Sequence, residues 1–223
     1  MRKKRRVLES GPLEAATERE RSVTNSLWAH LAGLVRQHDH SRIIYTSVEA
    51  EAGTTVIAAQ SVVGLVRTTR TSAALVEIDI EDPELAGYIG VESEPGLAEL
   101  LEGSSGLGRV SKSMYGCPGL TVVPAGTSRL IVPGEFATDT VGDHMAKLRE
   151  EHQCLFIDAP PILTHPQTRL MHEYVDGDIL VLRARAAQQK RLREVERLLD
   201  DMNVPIFGAV LNRYRSDMPF GLD

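Results

Sequence analysis

Short runs of consecutive apolar residues alternate with longer amphipathic stretches along most of this chain, and that alternation restricts the fold more than any other feature. DILVL (Asp178–Leu182) and FGAVL (Phe207–Leu211) are apolar at successive positions rather than at every second one. Strands of that kind are covered on both faces, as in a parallel sheet joined by crossover helices. The expectation is an α/β fold with a mostly parallel twisted sheet and helices on both faces. Strands are predicted at Ile43–Thr46, Ala74–Ile80, Leu120–Pro124, Cys154–Asp158, Asp178–Arg183 and Ile206–Leu211. Helices are predicted at Glu14–Val35, Thr55–Arg67, Gly96–Leu101, Thr138–Glu151, Pro166–Tyr174 and Ala187–Met202, the first from an apolar stripe of Leu27, Trp28, Leu31, Leu34 and Val35.

The 223 residues suffice for one α/β domain, expected over residues 17–214, after a basic arm (1–16) broken at Gly11-Pro12 and before a short tail (215–223). A net charge of −6 argues against general nucleic-acid binding. No apolar run approaches the ~18 residues of a membrane span, and no secretory apolar segment is expected near the start. Cys117 and Cys154 lack metal or redox spacing and read as reduced thiols. The run Arg2-Lys3-Lys4-Arg5-Arg6 has two readings: contact with an anionic membrane surface or a membrane partner, or a solvated arm. His38 and His40 bracket Asp39, with no further ligand nearby to complete a metal site.

In open sheets of this kind ligands sit beyond the carboxyl ends of the strands. The first strand is followed by TSVEAEAGTTVIAAQ (Thr46–Gln60), later ones by Glu77-Ile78-Asp79, by Asp158-Ala159-Pro160-Pro161 and by Asn212-Arg213. A glycine-containing turn with strand-end acids is the layout of a nucleotide triphosphatase: backbone N–H groups approach phosphate and the acids hold Mg²⁺. A strand-end aspartate can equally be a turn former.

The stretches LVEIDIEDP (Leu75–Pro83), GLAELLEG (Gly96–Gly103), VVPAG (Val122–Gly126), LFIDAPPIL (Leu155–Leu163), VDGDILVLR (Val175–Arg183) and GAVLN (Gly208–Asn212) follow one another in a specific order. From about Pro12 to Arg213 the chain resembles the bacterial tyrosine kinase (BY-kinase) family. These are the CpsD/CapB-type P-loop proteins of capsule and exopolysaccharide synthesis, relatives of the MinD/ParA ATPases. The resemblance implies P-loop NTPase architecture and a nucleotide site at Gly53, Thr54, Thr55 and Asn212. It also implies Mg²⁺ held by Thr55, Asp79 and Asp158. In that alignment Thr54 falls on the family's lysine, Thr55 on its Mg²⁺-ligating hydroxyl, Glu51 on a glycine and Glu77 on an aspartate.

A threonine cannot do the lysine's electrostatic work on the β- and γ-phosphates. Glu49 and Glu51 are the loop's only charges, and a like-charge contact at ~4 Å costs on the order of 4 kcal/mol near a protein surface. Weak Mg-ATP or ADP binding, or none, is therefore expected. Asp158 is expected to serve the turn by accepting backbone N–H bonds, with Mg²⁺ as the other reading; Asp79 and Asp158 are vestigial catalytic candidates. Asn212 is either an adenine contact or a turn residue. The family packs subunits through an ExxRxxR helix, of which Glu18 and Arg21 remain, and ends in a tyrosine cluster, where this chain has Tyr214 alone. The resemblance thus implies a catalytically degenerate cytoplasmic subunit that scaffolds or regulates a transmembrane chain-length-determinant protein (a polysaccharide co-polymerase), at the inner membrane and with possible homo-oligomerisation. The competing reading is an active ATP-dependent tyrosine autokinase or ATPase with an atypical site.

Overall fold

The structure is a computed structural model that describes residues 18–37, 41–127, 136, 139–185 and 188–213. The expected arm and tail, the Arg2–Arg6 run, His38, His40 and Tyr214 lie outside the described residues, as do the side chains of Glu18 and Arg21.

In chain order the elements are α1 (Glu18–Gln37), β1 (Ser41–Ser47), α2 (Thr54–Thr69), β2 (Ala73–Glu77), α3 (Leu85–Ile89), α4 (Leu97–Leu101), α5 (Leu107–Val110), β3 (Lys112–Ser113), β4 (Leu120–Val123), α6 (Asp139–Glu151), β5 (Cys154–Asp158), α7 (Pro166–Met171), a 3₁₀ turn (His172–Tyr174), β6 (Gly177–Arg183), α8 (Gln189–Asp201) and β7 (Ile206–Asn212). The described strands form one seven-stranded sheet in the order β3-β4-β2-β5-β1-β6-β7. Every pairing is parallel except β3 with β4.

The continuous apolar runs of β1, β2, β5 and β6 are explained by what covers them, whereas β7, expected to be covered on both faces, is an edge strand with Ile206 40% and Leu211 53% exposed. Ile43 and Tyr45 of β1, Leu75 of β2 and Phe156 of β5 point into one core, with Ile57, Val62 and Leu65 of α2 and Leu31 of α1. Their neighbours Ile44, Val76, Leu155 and Ile157 point into a second core, with Met145 and Leu148 of α6. Leu180 packs on Val195 and Leu199 of α8 in a third. Each such side chain fully removed from water contributes about 1.5–3 kcal/mol, so both faces must be apolar. The close fit of α1 on α2 depends on Gly64, where a Cβ would lie 2.9 Å from Cδ1 of Trp28.

Two polar clamps close the amino end of the sheet. Arg42 donates from its backbone and its guanidinium to Asp176, tying β1 to the approach of β6. His172 is buried between the Thr168 carbonyl, 2.7 Å from Nδ1, and the Asp178 carboxylate, 2.9 Å from Nε2. Because a carbonyl only accepts, Nδ1 carries the proton there. Burial pushes the Asp178 carboxyl up, and the His172 contact opposes the rise. Cys117 and Cys154 are both buried and without a disulfide.

The structure differs from expectation mainly in short elements. β2 ends at Glu77 rather than Ile80, and the expected helix to Tyr174 gives way at Met171 to the 3₁₀ turn. α3, α5 and β3 have no counterpart among the expected elements.

Candidate functional site

β1, β2 and β5 deliver their last residues to one place. The register sets Tyr45 and Glu77 on either side of Asp158. The segment after β1 then turns sharply into α2. Ser47 Oγ donates to the Glu49 carbonyl at 2.8 Å, Glu51 takes φ +56° and Gly53 takes φ +83°. Asn212, at the end of β7, reaches over this loop and donates from Nδ2 to the Ala52 carbonyl at 2.8 Å. A Cβ on Gly53 would lie 2.5 Å from that nitrogen. Gly53 and Asn212, expected to contact nucleotide, therefore also fit each other.

Thr54 and Thr55 open α2. Thr55 lies close enough to Asp158 to stabilise its charged form, while Oδ2 of Asp158 is buried without a hydrogen-bond partner among the described residues. The residue is 2% exposed. Burial above all, then the neighbouring Glu77 charge, pushes its carboxyl well above the ordinary range. Thr55 pulls the other way, and the charges of Asp79 and Glu84 add to the rise.

The expectation that Asp158 serves the following turn is corrected by the backbone pairing. The Ala159 N–H goes to the Tyr45 carbonyl at 3.0 Å and the Ile162 N–H to the Ser47 carbonyl at 3.1 Å. Two prolines between them have no N–H to give, and the Thr46 and Thr168 hydroxyls hold the Pro160 carbonyl. The turn is complete without the Asp158 side chain.

Glu77 is the reverse case. Oε1 accepts the N–H groups of Glu84 and Leu85 at 2.7 and 2.8 Å, and Oε2 that of Ala125 at 3.1 Å. Burial raises its carboxyl in spite of these three donors. The longer side chain thus joins the end of β2 to α3 and to the VVPAG segment. That segment is bound in turn to the start of α4: the Leu97 and Ala98 N–H groups reach the Pro124 and Ala125 carbonyls. Glu99 accepts from the Gly96 and Thr127 N–H groups. Asp79 accepts the Asp82 N–H at 3.1 Å and is raised chiefly by burial.

A cation reaches the loop from 132 positions away, and no local pattern identifies which one. Arg183, at the end of β6, donates to Glu51 at 3.0 Å. His165 stands 3.9 Å from Glu81. The loops at this end hold Glu49, Glu51, Asp79, Glu81, Asp82 and Glu84, with Arg183, His165, Arg169 and Arg213 as the cations. Among the described residues no group of three His, Cys, Asp or Glu side chains is set to hold a metal ion. Thr55 and the open oxygen of Asp158 are the pair best placed to face a cation.

No family model matches the chain. It is 25% identical over 143 residues to the tyrosine-protein kinase ptk of Acinetobacter johnsonii, covering 62% of this chain and 19% of that protein. The kinase domain of VpsO superposes with a TM-score of 0.79 at 25% identity, over 88% of this chain and 97% of that one. The kinase domain of the Escherichia coli tyrosine kinase ETK superposes with a TM-score of 0.80 at 18% identity, over 100% of this chain and 89% of that one. The chain spans 19% to 27% of the length of the curated relatives it matches.

Proposed function

We infer that this chain, a member of the bacterial tyrosine-kinase family, works as a binding subunit of a capsule or exopolysaccharide system and not as a kinase. The observation that carries the reading is the charge of the phosphate loop. It presents Glu49 and Glu51 and no lysine, and the cation drawn to it, Arg183, is engaged by Glu51 at 3.0 Å. A triphosphate entering there would have to displace a carboxylate and then sit among others, at an effective cost of a few kcal/mol. The metal half fits better. Asp158 keeps an open oxygen beside Thr55, so these two residues would hold Mg²⁺, with Asp79 nearby. Mg²⁺ would supply charge neutralisation for phosphate, but the anion it would neutralise has little else to hold it.

The partner in this reading is a transmembrane chain-length-determinant protein. No helix among the described residues is long and apolar enough to cross a membrane, and docking on such a partner would place the chain at the cytoplasmic face of the inner membrane. A second reading, an active ATPase or autokinase, is favoured by Arg183, which would leave Glu51 to take the lysine's part. Calorimetric titration with Mg-ATP separates the two. The binding reading expects no saturation below millimolar nucleotide, whereas micromolar binding lost in Asp158→Ala overturns it.

A further inference from the structure

We propose that the acidic mouth over Asp158 receives the basic segment Arg2–Arg6 of this chain, from the same or a neighbouring copy. The proposal rests on the reading that nucleotide no longer occupies the site.

Two independent observations converge on a cationic occupant. One is the rim, where Glu49, Glu51, Asp79, Glu81, Asp82 and Glu84 outnumber Arg183, Arg169, Arg213 and His165. The other is Oδ2 of Asp158, buried, unpartnered, and close enough to Asp79 and Glu84 to feel their charges. A buried acceptor left without a donor carries a desolvation penalty that an incoming ammonium or guanidinium removes. Arginine and lysine also supply several donors each, enough to bridge neighbouring carboxylates.

The position of α1 supplies the reach. α1 runs beside α2 in the same direction, with Trp28 over Gly64. From that contact to Glu18, and likewise to Thr54, is about ten residues, or roughly 15 Å of helix. The start of α1 is thus level with the start of α2, at the carboxyl-end pole of the sheet beside the loop. About twelve residues separate Arg6 from Glu18, enough for roughly 40 Å if extended. A five-residue cationic run on such a tether reaches the mouth of its own domain or of an adjacent one. Its high effective concentration offsets the weakness of each exposed ion pair.

Zero-length carbodiimide cross-linking of the full chain, mapped by mass spectrometry, tests this. The Lys3 and Lys4 amines should join Glu49, Glu51, Glu81, Asp82 or Glu84, and a mixture of light and ¹⁵N-labelled chains shows whether the donor is a neighbour. Arg2→Gln/Arg5→Gln/Arg6→Gln, which keeps both amines, should lower the yield about tenfold. Glu81→Gln/Asp82→Asn/Glu84→Gln should move the remaining links onto Glu49 and Glu51. Links from Lys3 and Lys4 only to acids elsewhere, or none while the segment drives flotation with phosphatidylglycerol vesicles, overturn the proposal in favour of a membrane contact. Micromolar Mg-ATP binding by the same sample would instead overturn the reading on which it rests.

Discussion

At the scale of single residues, the two halves of the loop make opposite predictions. Gly53 is constrained twice, by its φ of +83° and by Asn212. Gly53→Ala should cost about 1–2 kcal/mol by chemical denaturation. In an Asn212→Ala background the clash goes but the left-handed strain stays, so about 1 kcal/mol should remain. Asp158 goes the other way. Its carboxyl is raised in the fold by burial and by Glu77. A raised folded value means that the stability this group confers is complete below its unfolded value and is lost as pH rises through the folded one. Asp158→Asn should therefore stabilise the protein by about 1–3 kcal/mol at pH 7, and the gain should shrink as pH falls toward 4. A gain that is constant with pH would show that charge burial is not its source.

At the scale of elements, legibility followed length and locality. The strands β1, β5 and β6 are plain in the sequence because both faces are buried and apolar, so composition alone marks them; β7 reads the same way, but it is an edge strand on which Ile206 and Leu211 stay exposed. α3, at five residues, and α5, at four, are too short to show a period. β3 is a two-residue edge defined only by its partner β4. The site was half legible. Asp158, Thr55 and Gly53 follow from their places after strands. Arg183 beside Glu51 is a contact 132 positions apart, and no local pattern announces it. Glu77 looked like a damaged ligand because its three N–H donors come from segments that only the fold brings near it. The buried His172–Asp178 contact likewise joins the 3₁₀ turn to β6. Asp178→Ala should cost about 3–5 kcal/mol, the penalty for stranding one member of a buried pair, with the loss read from urea midpoints at unchanged slope.

At the scale of the molecule, charge is uneven: the carboxyl-end pole gathers Glu49, Glu51, Asp79, Glu81, Asp82 and Glu84. Their mutual repulsion is screened over about 10 Å at 0.1 M salt. The melting temperature should rise by a few degrees between ~10 mM and ~0.3 M NaCl. Glu81→Gln/Asp82→Asn/Glu84→Gln should flatten that rise; an equally steep rise in the variant would place the repulsion elsewhere. The strand order carries another consequence, one of timing. β1 lies inside the sheet between β5 and β6, and Thr46 meets Pro160 across 114 positions and Arg42 meets Asp176 across 134. A ribosome translating this chain therefore releases β1 and its loop long before their neighbours exist. Until β5 has cleared the exit tunnel β1 is open on both edges, and until β6 has cleared it one edge stays open. A nascent chain arrested before Gly177 should remain open to protease at the β1 loop, and one arrested well beyond Asn212 should be protected there.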